Sequence, residues 1–286
     1  MKIANDVQTV REQITEARNE GKTIGFVPTM GNLHEGHLAL IHHAREKADY
    51  VVCSIFVNPM QFGQNEDLDS YPRTLDDDIA KLEEAGTDLL FTPDNKMIYP
   101  NGLDRHTRVS VPAITELHCG FSRPGHFEGV STVVTILFNL VQPDIAVFGE
   151  KDYQQLAVIR TMTKDLHLPI QIIGHPTVRE PDGLAKSSRN GYLNREERAK
   201  APRLYQVMQA CIKKIADGNS QFDSLKQEAC QQLKDEGFDI DYFNLANSDT
   251  LEMATPSDQY VTLLAAARLG STRLIDNLSI DRAATI

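Results

Sequence analysis

Hydrophobic positions along this chain fall either in short unbroken runs or at helical spacing, and the switching between the two marks out most of the elements. Thr23–Val27 is a short apolar run and Tyr50–Val57 a nearly continuous one, the pattern of strands covered on both faces. Between them Leu38, Ile41 and Ala44 repeat at helical spacing, with His42, His43 and Arg45 turned elsewhere. Upstream, Val7, Val10 and Ile14 mark a helix over 6–20, with Asp6 as its cap. Strand, helix and strand within the first 57 residues make one crossover unit, expected to be right-handed. Thr74 reads as the cap of a helix over Leu75–Ala85, whose first turn carries Asp76–Asp78, where carboxylates suit the helix dipole. Asp88–Thr92 reads as a third strand, 65–73 as a polar loop and Thr107–Val111 as a short extra strand. His126–Val141 reads as a long buried helix and Asp144–Phe148 as a buried strand. A helix follows with Leu156, Ile159, Met162 and Leu166 facing inward, then a strand over Pro169–Gly174. Strands alternating with helices predict an α/β fold, a doubly wound and mainly parallel sheet.

After residue 176 the pattern changes. Pro181-Asp182-Gly183 is a turn signal, and Leu184–Gly191 is a polar loop. Helices over 195–216 and 222–236 precede strands over Ile240–Ala246, Tyr260–Ala267 and Arg273–Ile280. The expected division is a ligand-binding α/β domain over 1–176 and a smaller C-terminal α+β domain over 177–286, the latter acting as a lid.

Composition narrows the classes of partner. The 286 residues are 41% hydrophobic and 24% charged, with a formal net charge of −11. That balance lacks the basic stripe of a nucleic-acid surface, though it leaves room for a small basic pocket. No apolar run approaches the ~20 residues of a membrane span. The first residues, Met1–Asp6, lack an apolar signal core. Cys53, Cys119, Cys211 and Cys230 are scattered, with no C-x-x-C pair, and read as reduced thiols of a cytoplasmic protein.

Candidate chemistry centres on Phe26–His37. A buried strand ends in a Pro/Gly turn, and a helix opens near Glu35 with His34 and His37 three residues apart. Side chains at that spacing share a face, and free backbone N–H groups at a helix start favour an anion. Gly36 between the histidines leaves room for a ligand near the backbone. Surface or capping histidines are the plain alternative. A zinc site is weaker still, because His34-Glu-Gly-His37 has the wrong spacing for H-E-x-x-H and no third ligand is placed by motif. Lys151 falls between a buried strand and a helix start, either as a loop lysine balanced by Glu150 and Asp152 or as the partner of an anion bound there. Lys186-Ser-Ser-Arg-Asn190 is either a polar loop or a mobile phosphate clamp. Gln61 and Gln155, each just past a strand end, can donate and accept. Gly31–His37, Asn58–Gln61 and Gly149–Gln155 all follow strands, so topology brings them to one crevice. Among Asp76–Asp78, a carboxylate suits Mg²⁺ bridging phosphates.

Pro28–His37, Phe56–Phe62, Tyr71-Pro-Arg73, Phe148–Gln155 and Ser187–Asn190 together resemble the pantoate–β-alanine ligase family, in order and over essentially the whole chain. His34-Glu-Gly-His37 and Lys186–Arg189 also resemble the two phosphate-binding signatures of the wider nucleotidylyltransferase and class I aminoacyl-tRNA synthetase superfamily. Lys186 stands where the family often carries an apolar residue. The resemblance implies a Rossmann-like domain and joining of (R)-pantoate to β-alanine, with ATP giving AMP and pyrophosphate through an enzyme-bound pantoyl adenylate, a step toward coenzyme A. It implies His34, His37, Lys151 and Arg189 as catalytic groups. For ATP it implies Met30, Gly31, His34, Gly36, His37, Gly149, Lys151, Asp152, Val178, Lys186, Ser187, Ser188 and Arg189. Gln61, Gln155, Met30 and Asn58 would hold pantoate and β-alanine, Asp77 would meet Mg²⁺, and the assembly would be a homodimer. The competing readings are an enzyme that stops at adenylyl transfer and a nucleotide-sensing module on the same fold. The second clamp and the paired glutamines speak against the sensor.

Overall fold

A computed structural model describes residues 1–64 and 66–284; Asn65, the first residue of the polar stretch 65–73, lies outside them, as do 285 and 286. In chain order the elements are β1 (Lys2–Ala4), α1 (Val7–Asn19), β2 (Ile24–Thr29), α2 (Glu35–Lys47), β3 (Tyr50–Ile55), α3 (Leu75–Glu84), β4 (Leu89–Phe91) and α4 (Asn95–Ile98). There follow α5 (His118–Ser122), α6 (His126–Val141), β5 (Ile145–Gly149), α7 (Tyr153–Asp165) and β6 (Gln171–His175). The last are α8 (Arg195–Lys200), α9 (Arg203–Ala216), α10 (Phe222–Asp235), β7 (Asp239–Asn247), β8 (Tyr260–Leu269) and β9 (Thr272–Asp281). Two compact units result. The first comprises Met1–Thr115, Arg123–Glu150 and Gln155–Pro176; the second comprises Glu116–Ser122, Lys151–Gln154 and Thr177–Ile286.

The first unit holds a parallel six-stranded sheet in the order β1-β4-β3-β2-β5-β6. Alternate residues of a strand face opposite sides, and the two sides of this sheet are both apolar. Val27, Val51, Cys53, Leu90 and Val147 pack with Leu40, Ile41 and Ala44 of α2 and Leu82 of α3. On the other side Phe26 meets Phe138 of α6 edge-on, and Phe138 meets Phe148 in the same way. The doubly wound architecture predicted from the alternation is therefore present. At Gly25 an added Cβ would stand 2.9 Å from the Ala48 side chain, so the end of α2 lies close on β2. From β2 the chain crosses to β3 on one side, while β5 pairs on the other. That reversal is a topological switch point, where ligands of such sheets bind at the carboxyl ends of the strands.

The second unit has an antiparallel three-stranded sheet, β7-β8-β9, whose apolar face packs with α9 and α10. Leu204, Val207, Met208, Cys211 and Ile215 of α9 and Leu225, Ala229 and Leu233 of α10 repeat at helical spacing and are buried.

Several expectations are corrected. Thr107–Val111 forms no strand: the Val109 N–H donates to Thr132 Oγ1 and its carbonyl accepts from Ser131 Oγ, so α6 side chains replace a strand neighbour. Lys2–Ala4, given no strand from the pattern, pairs with β4 at the sheet edge. The helix expected over 195–216 is broken into α8 and α9 around Ala201-Pro202, as a proline without an N–H requires. Leu166, expected to face inward, is 48% exposed just past the end of α7. On α2, Leu40 rather than Leu38 joins Ile41 and Ala44 among the buried residues.

Candidate active site

In the first unit the chain leaves β2 through Met30, and Gly31 adopts φ +81. A Cβ at Gly31 would stand 3.0 Å from Ile55 and 3.1 Å from Asp78 Oδ2, so both the backbone angle and the space call for glycine. Asp78 is the brace of this turn. Its Oδ2 accepts from the Asn32 N–H at 2.8 Å and its Oδ1 from the Leu33 N–H at 2.7 Å, and it is 1% exposed. Lys81 Nζ adds a bond to the Leu33 carbonyl at 2.7 Å. The spacing of the run carried a signal for this role: Asp78, Leu82 and Ala85 fall on one helical face, and all three are buried.

His34 caps α2. Its Nδ1 accepts from the Gly36 N–H at 3.1 Å, and His37 Nδ1 accepts from the His34 N–H at 3.3 Å. The rings stand 4.1 Å apart, tilted by 34°. These bonds fix the tautomer. A ring nitrogen that accepts carries no proton, so each neutral imidazole bears its proton on Nε2 and is a donor there. Capping and anion recognition are thus compatible: one nitrogen of each ring serves the helix and the other presents N–H.

The loop after β3 adds Asn58 and Gln61 on a 3₁₀ turn, Pro59–Gln61. Gln61 Nε2 donates to Met30 Sδ at 3.2 Å and its Oε1 accepts from Asn58 Nδ2 at 3.1 Å, so the structure brings Met30, Asn58 and Gln61 together. Asn58 is 1% exposed; its Nδ2 also donates to the Gly129 carbonyl, and its Oδ1 accepts from Tyr99 OH at 2.6 Å. That places Asn58 behind Gln61 as its support. Gly129 on α6 permits the approach, because a Cβ there would lie 2.5 Å from the Met60 carbonyl oxygen. Arg123 and His126 hold the same turn. Arg123 forms a bidentate pair with Glu66, both contacts 2.5 Å, and His126 Nδ1 lies 2.8 Å from the Gln61 carbonyl oxygen. Burial raises the Glu66 carboxyl, but the hydrogen bonds and charge of Arg123 outweigh it and bring the carboxyl down to about 2. Nothing in the sequence pattern singles out Glu66, Arg123 or His126, since the contacts span 57 and 65 positions.

Gly149 ends β5, and a Cβ there would meet nothing within 4 Å. Gln155 stands half-exposed in the first turn of α7.

In the second unit Lys151 lies on a 3₁₀ turn, with its Nζ 3.7 Å from Asp152 Oδ2 and its carbonyl accepting from Asn277 Nδ2 at 2.9 Å. Gln154, beside the candidate Gln155, is structural: it donates to the Leu117 carbonyl and accepts from the Cys119 N–H. Val178 and Lys186 face each other across a tight hairpin, the Lys186 N–H donating to the Val178 carbonyl at 2.9 Å. Lys186 Nζ pairs with Glu180 Oε2 at 3.1 Å. Ser187 caps the 3₁₀ turn Ser188–Tyr192 by accepting from the Arg189 N–H, which sets Ser188 and Arg189 in its first positions.

The carboxylate expected to meet Mg²⁺ bridging phosphates is Asp77. Asp77 is exposed, its neighbour Asp78 is engaged by backbone amides, and no group of three or more His, Cys, Asp or Glu is gathered to hold an ion among the described residues.

A switch-point α/β sheet carrying paired imidazole donors at a helix start defines an anion- and nucleotide-handling class of enzyme. The model of the family "Pantoate-beta-alanine ligase" matches residues 2–279, and the chain belongs to that family of amide-forming ligases. A pantothenate synthetase of Hahella chejuensis is 60% identical over 274 residues, covering 96% of this chain and 97% of that protein. One of Marinobacter nauticus is 57% identical over 282 residues, covering 99% and 100%. Among solved structures, a pantothenate synthetase of Thermus thermophilus superposes with a TM-score of 0.91 at 46% identity, covering 97% of this chain and 99% of that one. A pantoate-beta-alanine ligase of Francisella tularensis, described as complexed with beta-gamma ATP and beta-alanine, superposes with a TM-score of 0.79 at 34% identity, covering 97% of each.

Proposed function

We propose that the protein joins (R)-pantoate to β-alanine at the expense of ATP, through a pantoyl adenylate that stays bound, and so supplies a precursor of coenzyme A. The observation that carries the reading is the pair of imidazoles at the start of α2, each accepting a backbone N–H at Nδ1, which puts the proton of the neutral ring on Nε2. Family membership supplies the substrates. In the first step a pantoate carboxylate oxygen attacks the α-phosphorus, and the bond to the β-phosphate oxygen breaks. Charge gathers on the departing pyrophosphate, and catalysis of such a transfer is positioning plus electrostatics. His34, His37, Lys151, Ser187, Ser188 and Arg189 act on that charge. Met30, Gly31, Gly36, Gly149, Asp152, Val178 and Lys186 complete the ATP contacts, Lys186 through its backbone because its side chain pairs with Glu180. In the second step the β-alanine nitrogen attacks the acyl carbon, loses a proton and releases AMP. Gln61 and Gln155 hold pantoate, Met30 walls it, and Asn58 fixes Gln61. His37 can accept a proton on Nδ1 only by giving up its bond to the His34 N–H, which favours the donor role over proton transfer. The second unit serves as the lid, the assembly is a homodimer, and the free thiols suit the cytoplasm.

Isotope transfer tests the route. Pantoate labelled with ¹⁸O in its carboxylate is expected to pass one labelled oxygen to AMP, with AMP formed only when both pantoate and β-alanine are present. Unlabelled AMP would exclude the adenylate.

A further inference from the structure

Two adjacent polar residues of β9, Asp276 and Asn277, are 5% and 8% exposed. Asp276 shares the strand parity of Leu274 and Leu278, which pack in the apolar layer of the second unit. A carboxylate in such a layer is costly unless it is paired. Arg179 pairs with it through two bonds, NH1 to Oδ2 at 2.6 Å and NH2 to Oδ1 at 2.9 Å, and stacks on the Tyr205 ring with Cζ 3.8 Å from its centroid. Replacing a buried ion pair by well-packed apolar residues is often neutral or stabilising, so the pair is weak evidence for stability and its geometry is the feature to follow.

What it fixes is the hairpin that leads into Ser187–Arg189. Arg179 bridges to Ala185 across the hairpin and donates to the Gly183 carbonyl, while the hairpin tip lies so close to Tyr205 that a Cβ at Gly183 would stand 2.5 Å from the ring. The next residue along β9 reaches the other phosphate-handling group. Asn277 Nδ2 donates to the Lys151 carbonyl at 2.9 Å, and the Asn277 N–H donates back to Asp276 Oδ1 at 2.8 Å. One dipeptide on one strand therefore anchors Lys151 by its backbone and the Val178–Arg189 hairpin by its guanidinium.

We infer that Asp276-Asn277 is a positioning node of the adenylation step, setting Lys151 and the Ser187–Arg189 turn in one register. This rests on the role given to Lys151 above. Neither residue needs to touch substrate; misplacement of a charged group by an ångström costs about a hundredfold in rate, and loss of an orienting partner costs about ten- to a hundredfold.

The test is a double-mutant cycle on the full chain, read by pantoate-dependent ATP–pyrophosphate exchange. Asn277→Ala is expected to lower the exchange kcat about tenfold with the KM for ATP changed less than about threefold. In a Lys151→Ala background it is expected to cause less than a further about twofold loss, because its effect passes through Lys151. Losses that multiply would overturn the node. Full exchange by folded Asn277→Ala, beside impaired Lys151→Ala, would overturn it while leaving the Lys151 reading intact. Full exchange by Lys151→Ala would overturn both. Thermal melting reports folding, and if Asn277→Ala melts early, the near-isosteric Asn277→Asp, which cannot donate when ionised, takes its place in the cycle.

Discussion

Asp78 accepts from two backbone N–H groups of the Gly31–Leu33 turn, whereas Asp77, one residue away, is exposed. Asp78→Ala would leave those two N–H donors unsatisfied, at ~1–3 kcal/mol each, and is expected to destabilise by ~2–4 kcal/mol in denaturant titration. Asp77→Ala is expected to stay within ~0.5 kcal/mol of the parent. Equal costs would show that the turn is held by something other than Asp78. The Glu66–Arg123 pair makes a pH prediction. The Glu66 carboxyl is brought down from 4.5 to about 2 in the folded protein. A depressed carboxyl stabilises the fold above its unfolded value, and that contribution is lost as pH falls through the folded value. The melting advantage of the parent over Glu66→Gln is therefore expected in full at pH 6, shrinking from pH 4.5 toward pH 2. At this scale the sequence announced the residues that make a motif, such as His34 and His37. It was silent on Arg123 and Asp276, whose partners lie 57 and 97 positions away.

The turn Pro59–Gln61 has its place because α6 offers a glycine where the two meet. Gly129→Ala would gain ~1 kcal/mol of helix propensity, but the added methyl would stand 2.5 Å from the Met60 carbonyl oxygen, and overpacking costs ~1–3 kcal/mol. The clash wins, and the turn must shift together with Gln61. The variant is expected to raise the KM for pantoate about tenfold while the KM for ATP changes little; a loss confined to ATP would take Gln61 out of the pantoate pocket. Unbroken apolar runs made the strands β2, β3 and β5 legible and helical spacing did the same for α6, and with them the switch point. Neither pattern could find β1, three residues long with only Ala4 buried, nor the fate of Thr107–Val111. That segment has strand-like residues, but whether it joins a sheet depends on the hydroxyls of Ser131 and Thr132, which a window on 107–111 never contains.

For the molecule as a whole, the thiols and the charge fit the proposed chemistry, which uses donors of hydrogen bonds and positive charge rather than sulfur. The chain carries a formal charge of −11, yet its candidate phosphate groups are imidazole, lysine, hydroxyl and arginine set locally at a helix start and a hairpin. No cysteine belongs to either cluster. Cys53 is fully buried, and burial pushes its thiol up to about 12; burial pushes Cys211 up to about 11. Cys119 is buried as well, and the half-buried Cys230 is raised in the same direction by its burial. The thiolate is the reactive form, so at pH 7.5 Cys53, Cys211 and Cys230 are poor nucleophiles and oxidise slowly, while Cys119 is shielded by its burial. In the native protein at most one of the four thiols, Cys230, is expected to react with a disulfide reagent on the minute scale, and all four are expected to react after denaturation. Alkylation of the native protein is expected to leave pantoate- and β-alanine-dependent AMP formation unchanged. Rapid labelling of a second thiol with parallel loss of AMP formation would mean that one of the buried cysteines opens toward the substrates, and the sulfur-free account of the chemistry would fail.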